Sequence, residues 1–153
     1  MIQKLDHIGI AVKNLDETLR MYKEIYGLGI VKIETLNDIK VRIAFIRIGE
    51  VLIELLEPIE PGQGRIGKFL EDVGEGFHHV ALRVENIEQT IKEFRSMNVP
   101  LRDLTPRDGG DDSRIVFIEP AFTQNVLTEL VERKREVKGT LENEYPGAAG
   151  KTG

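Results

Sequence analysis

The sequence predicts an α+β fold built from two pseudo-symmetric βαβββ modules. Three observations predict it. "LDHIGIAVKNLDET", Leu5 to Thr18, returns in altered form as "FHHVALRVENIEQT", Phe77 to Thr90. Each copy changes its hydrophobic period from two to about 3.6 at the same point. Each is then followed by further apolar runs separated by turn signals. A shift of 72 lays His7 on His79, Val12 on Val84, Asn14 on Asn86 and Thr18 on Thr90, with Tyr22 on Phe94 and Lys23 on Arg95 as chemically similar pairs. Such a repeat is sought first because it dictates the architecture.

The elements follow in order. "HIGIAV" places Ile8, Ile10 and Val12 on one strand face and His7, Gly9 and Ala11 on the other. "NLDETLRMYKEIYG" sets Leu15, Leu19, Tyr22 and Ile25 at helical spacing, with Asp16 and Glu17 where the dipole favours them and Gly27 and Gly29 to close. Strands are expected in "GIVKIET", "KVRIAFIRIG" and "VLIELLEP". The link 59–75 carries a short helical segment, "RIGKFLED". The second copy repeats the course: Val80, Leu82 and Val84 on a strand, then Ile87, Ile91, Phe94 and Met97 on a helix stopped near Asn98 and Pro100. A short strand around Val99 to Leu104, then "SRIVFIEP" and "NVLTELVE", complete it. One such half leaves a sheet face bare, so the halves pack together. The expected organisation is one domain over 3–135, with modules at about 3–58 and 76–133, and a flexible tail over 136–153.

Composition narrows the function. A net charge of -5 spread along the chain, without a basic block, argues against nucleic acid. With no cysteine, any metal must sit on nitrogen and oxygen. "MIQKLDHIGIAV" lacks the apolar run of a signal peptide, and no stretch approaches a membrane span, so a soluble cytoplasmic protein is expected.

Two of the three histidines, His7 and His79, open equivalent strands on the face opposite the helix-packed residues. A lone strand histidine is usually structural; duplication at matched positions points further. The last strands share the frame "VL-x-E-L", which carries Glu54 and Glu129 inside apolar runs, where a carboxylate is costly unless paired or bound to a cation. Imidazole plus carboxylate suits zinc, cobalt, nickel or manganese, and four protein ligands leave two octahedral positions open. Such a centre could polarise a carbonyl while a glutamate removes the adjacent proton. His78 is expected to point to the opposite face from His79.

These residues resemble the vicinal oxygen chelate (glyoxalase-like) superfamily over about Leu5 to Glu132. "LDHIGIAV", "IELLEP" and "GEGFHHVALRVENIEQTI" are most similar to its methylmalonyl-CoA epimerase group. The resemblance implies a divalent metal on His7, Glu54, His79 and Glu129, with Glu129 and Glu54 as catalytic carboxylates. It also implies an acyl-CoA substrate whose α-proton is moved, and a homodimer. Epimerisation needs a second proton carrier. Where some members have a glutamate on the strand before "IELLEP" the alignment places Arg42, which cannot act as a base; Glu119 is another candidate. "PRDGGDDSRIVFIEPAFTQNVLTEL" departs from the group's pattern, with Asp111 and Asp112 where a CoA tail would lie and Arg107 and Arg114 to offset them. Lactoylglutathione lyase shares the ligand set and is the alternative enzyme. A metal-free binding or resistance protein is the alternative outside catalysis, and retention of all four ligands argues against it.

Overall fold

The computed structural model describes residues 1–138. Eight strands form one sheet: β1 (Ile2–Ala11), β2 (Ile30–Leu36), β3 (Val41–Ile48), β4 (Val51–Pro58), β5 (Gly76–Val84), β6 (Arg107–Gly109), β7 (Ser113–Ile118) and β8 (Thr128–Arg133). Helices α1 (Leu15–Tyr26), α2 (Gly64–Asp72) and α3 (Ile87–Ser96) lie against it. The strand order is β2-β3-β4-β1-β5-β8-β7-β6. The antiparallel pair β1 and β5 forms the centre, and each is flanked by a parallel partner, β4 and β8.

Both long helices start by the same device. Asn14 and Asn86 accept N–H bonds from Glu17 and Gln89, at 3.0 and 2.8 Å. The first helical N–H of each, on Leu15 and Ile87, is taken by Glu57 at 2.9 Å and Glu132 at 2.7 Å. These glutamates lie three residues beyond Glu54 and Glu129, so the strands that carry the site glutamates also anchor the helices. Gly27 closes α1 at φ +67°, a left-handed conformation that costs a side-chain-bearing residue.

Strand alternation separates two packed layers. On the outer face Leu15 and Leu19 of α1 bury against Val12, Ile30, Ala44, Ile46 and Leu55. Ile87 and Ile91 of α3 do the same against Val84, Val116, Ile118 and Leu130. On the inner face α2 packs Ile66, Phe69 and Leu70 against Val41, Ile43, Phe45 and Leu56. The sheet curls until its two ends touch. Asp111 N–H donates to Glu34 at 2.5 Å, Lys32 bonds Asp111 at 2.7 Å, and Arg133 of β8 lies over the Phe45 ring of β3.

Two expectations differ from what is observed. The edge strand of the second module is Arg107–Gly109, and the Val99 to Leu104 stretch makes only one bridge, Leu101 to Ile118. Pro100 and Pro106 have no N–H to donate to a continuous ladder. The chain also remains packed beyond 135: Val137 is buried in the inner core and Glu136 bonds Arg83 at 2.8 Å. The rest of the expected tail, 139–153, lies outside the described residues.

Glu132→Ala should lower unfolding free energy by about 1–2 kcal/mol by orphaning the Ile87 N–H. Urea denaturation should show a reduced midpoint at unchanged slope, with Glu132→Gln closer to the parent; an Ala variant of parental midpoint would show that the cap contributes nothing.

Candidate functional site

The centre of the sheet brings together all four residues singled out in the sequence. On the inner face, Glu54 of β4, Gly9 of β1 and His79 of β5 share one cross-strand row. His7 of β1, Ala81 of β5 and Glu129 of β8 share the next. Each histidine thus lies in line with the glutamate of the other module, across a residue with little or no side chain. Gly9 is required there, because a Cβ at that position would collide with the His79 ring.

The four side chains are buried and their donor atoms converge. His7 Nε2 and His79 Nε2 stand 3.0 Å apart. Glu54 Oε2 lies 3.4 Å from both nitrogens, and the two Glu129 oxygens lie 3.6 and 3.7 Å from them. His7, Glu54 and His79 form a group able to hold a metal ion.

Behind the histidines stand two residues that alternation misplaces. The β1–β5 register slips between Leu5 and His7 and again between Gly9 and Ile10. Asp6 and His78 are the unpaired residues at these slips, and a bulge turns such a residue out of the alternating pattern. Asp6 Oδ1 accepts from His7 Nδ1 at 2.7 Å. His78 Nδ1 lies 2.8 Å from His79 Nδ1. The expectation that His78 faces away from His79 is therefore overturned by the bulge. The sequence signals were the dipeptides Asp6-His7 and His78-His79, alike in place and different in chemistry.

Asp6 is itself held by Arg83 at 2.5 Å and Arg133 at 2.9 Å, both drawn into the interior. Burial alone would raise its pKa, but His7 and Arg133 hold it well below the usual carboxylate range. His7 is raised to about 10: burial opposes its charge, and the negative charge of Glu54 with the hydrogen bond to Asp6 overrides that. Glu54 is held low despite burial by the charges of His7 and His79, whereas burial keeps Glu129 raised against the same two rings. The two carboxylates are unequal, Glu129 the better proton acceptor. His78 is lowered to about 4, first by burial and then by His79.

The donor set fits a divalent ion. His7 Nδ1 donates to a carboxylate, so in the neutral ring Nε2 carries the lone pair, and that lone pair faces His79 Nε2 and two carboxylates. A proton or a cation must lie among them. In the metal-free protein the His7 proton serves; zinc, cobalt, nickel or manganese suits the same nitrogen and oxygen donors.

Neither Arg42 nor the candidate proton carrier Glu119 faces this centre. Arg42 lies on the outer face, 2.6 Å from Asp16 and 3.4 Å from Glu57. The β3 residues that share the centre's face are Val41, Ile43, Phe45 and Arg47, with Phe45 opposite Glu54 and Arg47 bonded to the Val137 carbonyl. Glu119 pairs with Arg102 at the surface. Asp111 and Asp112 are taken up by Lys32 and Lys134, and Arg114 by Glu88. Arg107 turns inward over Phe117, whose ring meets His79 edge-on.

The family model described as Glyoxalase/Bleomycin resistance protein/Dioxygenase superfamily matches residues 6–117. The chain belongs to this superfamily. Within the superfamily it is 35% identical over 144 residues to the uncharacterized protein YqjC of Bacillus subtilis (strain 168), covering 94% of this chain and 99% of that one. It is 33% identical over 135 residues to the mitochondrial methylmalonyl-CoA epimerase of Dictyostelium discoideum, covering 86% of this chain and 80% of the relative. A Streptomyces coelicolor methylmalonyl-CoA epimerase variant, solved in complex with 2-nitronate-propionyl-CoA, superposes with a TM-score of 0.83 at 33% identity. That match covers 88% of this chain and all of the other (100%). Among the described residues no helix is long and apolar enough to cross a membrane.

Because His7 holds its proton up to about 10, zinc binding near neutral pH should release about one proton per ion from this residue, and affinity should rise with pH until about 10. Calorimetry in buffers of different ionisation enthalpy reads this directly; zinc uptake without proton release would contradict it. Gly9→Ala should displace the His79 ring and weaken zinc binding at least about tenfold, an effect of the size seen when ligand support is lost. A Gly9→Ala protein with parental zinc affinity would refute that dependence.

Proposed function

We propose that this protein is a metal-dependent epimerase acting on methylmalonyl-CoA, a 2-methyl-branched dicarboxylic acyl-CoA. The observation that carries the reading is the convergence of His7, Glu54, His79 and Glu129, with the two histidine nitrogens 3.0 Å apart and each glutamate 3.4 to 3.7 Å from them. Similarity to methylmalonyl-CoA epimerases over most of the chain supports the substrate.

A divalent ion held by these four side chains would supply Lewis acidity toward the thioester and carboxylate oxygens of the substrate. The α-carbon between those groups carries the proton to be moved. Glu129, raised by burial, takes this proton. Loss of the proton flattens the α-carbon, and delivery from the other side inverts it. Glu54 comes from the opposite module, and we assign it that delivery, which requires it to enter turnover protonated while Glu129 enters ionised, each leaving in the other's state; β3 offers no carboxylate on this face. His7 and His79 hold the centre rather than move the substrate proton. The same reading carries a homodimer and a cytoplasmic location, which sedimentation and cell fractionation test.

The protein loaded with cobalt or zinc should exchange the α-proton of methylmalonyl-CoA with deuterated solvent, followed by NMR. Chelation should abolish exchange. Glu129→Gln should lower the rate about 10²–10⁴-fold, the range for loss of a positioned base. Absence of exchange with zinc, cobalt, nickel and manganese alike would overturn the substrate; retained exchange in Glu129→Gln would overturn the role of that residue.

A further inference from the structure

His78 occupies a bulge, stands against a ring of the centre, and has no part in the reaction as written above. Its ring is 5.1 Å from the His79 ring and nearly perpendicular to it, at 86°. On its other side the Phe69 ring of α2 approaches edge-on, 4.8 Å between centroids. The equivalent bulge in the first module places Asp6 behind His7. The two modules thus carry one device with two chemistries, a carboxylate behind one histidine and an imidazole behind the other.

We propose that His78 is a positioning residue, which fixes the His79 ring and its tautomer so that the His79 Nε2 lone pair enters the centre. The proposal deepens the metal-centre reading and rests on it for what that lone pair meets. Two nitrogens 2.8 Å apart share one hydrogen. When His79 Nδ1–H donates to His78 Nδ1, His79 Nε2 is left bare, as a metal ligand must be. The opposite sharing would put the hydrogen on His79 Nε2 and close the position to a cation. Phe69 keeps the His78 ring from swinging away, which ties this tautomer to the seating of α2. An imidazole also supports the second histidine without the negative charge that Asp6 brings to the first.

The experiment uses the full chain, whose three histidines, labelled with ¹⁵N, give three separate ring signals. In the metal-free protein His79 should be in the Nδ1–H form, and in His78→Ala it should become a mixture. Cobalt titration should show binding about 10–100-fold weaker in His78→Ala, the range for lost support of a ligand. His78→Asn, whose side-chain oxygen accepts the same hydrogen, should recover to within a few-fold of the parent; His78→Leu, of similar size without an acceptor, should not. Circular dichroism checks folding, and if the Ala variant is unfolded the Asn and Leu pair decides. Parental affinity and tautomer in His78→Ala, or Asn no better than Leu, would overturn the proposal. If the parent binds no metal at all, the metal-centre reading fails, and the tautomer measurement still decides whether His78 orients His79.

Discussion

The antiparallel pairing of β1 with β5 is the constraint on which the rest of this structure depends. Among the described residues it is the one ladder that joins the two modules, and it lays His7 and His79 on neighbouring strands, one cross-strand row apart. Parallel pairing of β4 with β1 and of β8 with β5 then brings each glutamate into a row with the histidine of the other half. The centre belongs to neither module alone. Gly9 and Ala81, the small residues of those rows, leave the volume in which four polar side chains can meet.

Burying that much charge requires compensation, and the structure supplies it in shells. Asp6 is taken out of water, which is costly for an isolated carboxylate. Arg83, Arg133 and His7 surround it, and Arg133 also bonds Gly110 and stacks over Phe45. The same arginine therefore supports the histidine from behind and holds the far ends of the curled sheet together. The Lys32, Glu34 and Asp111 contacts finish that closure. Chemistry and architecture share these residues, so loss of Asp6 or Arg133 would disturb both.

The two bulges show why local regularity and function diverge here. A strand obeying strict alternation would send Asp6 and His78 to the helix-covered face, where neither could be satisfied. The slips at Leu5/His7 and Gly9/Ile10 each turn one polar residue inward behind a ring nitrogen that needs a partner. Bulges beside a functional centre commonly re-aim a side chain in this way. Their placement at matched points of the repeat accounts for the shared position of Asp6 and His78.

The amino-acid sequence by itself determined the repeat, its helices and most strands, and the matched positions of His7, Glu54, His79 and Glu129. These follow from periodicity and repetition, which are properties of neighbours along the chain. The link helix was equally legible, from its Gly and Pro flanks. Arg42, by contrast, was placed beside the centre by alignment and lies on the outer face, because pairing with β4 decides which side each β3 residue takes. His78 was assigned by alternation to the face it does not occupy. The edge strand fell at Arg107 rather than near Leu101, where prolines interrupt donation. Only the tertiary structure decided these, since register between strands, bulges and the closure of the sheet depend on pairing between segments far apart in the chain.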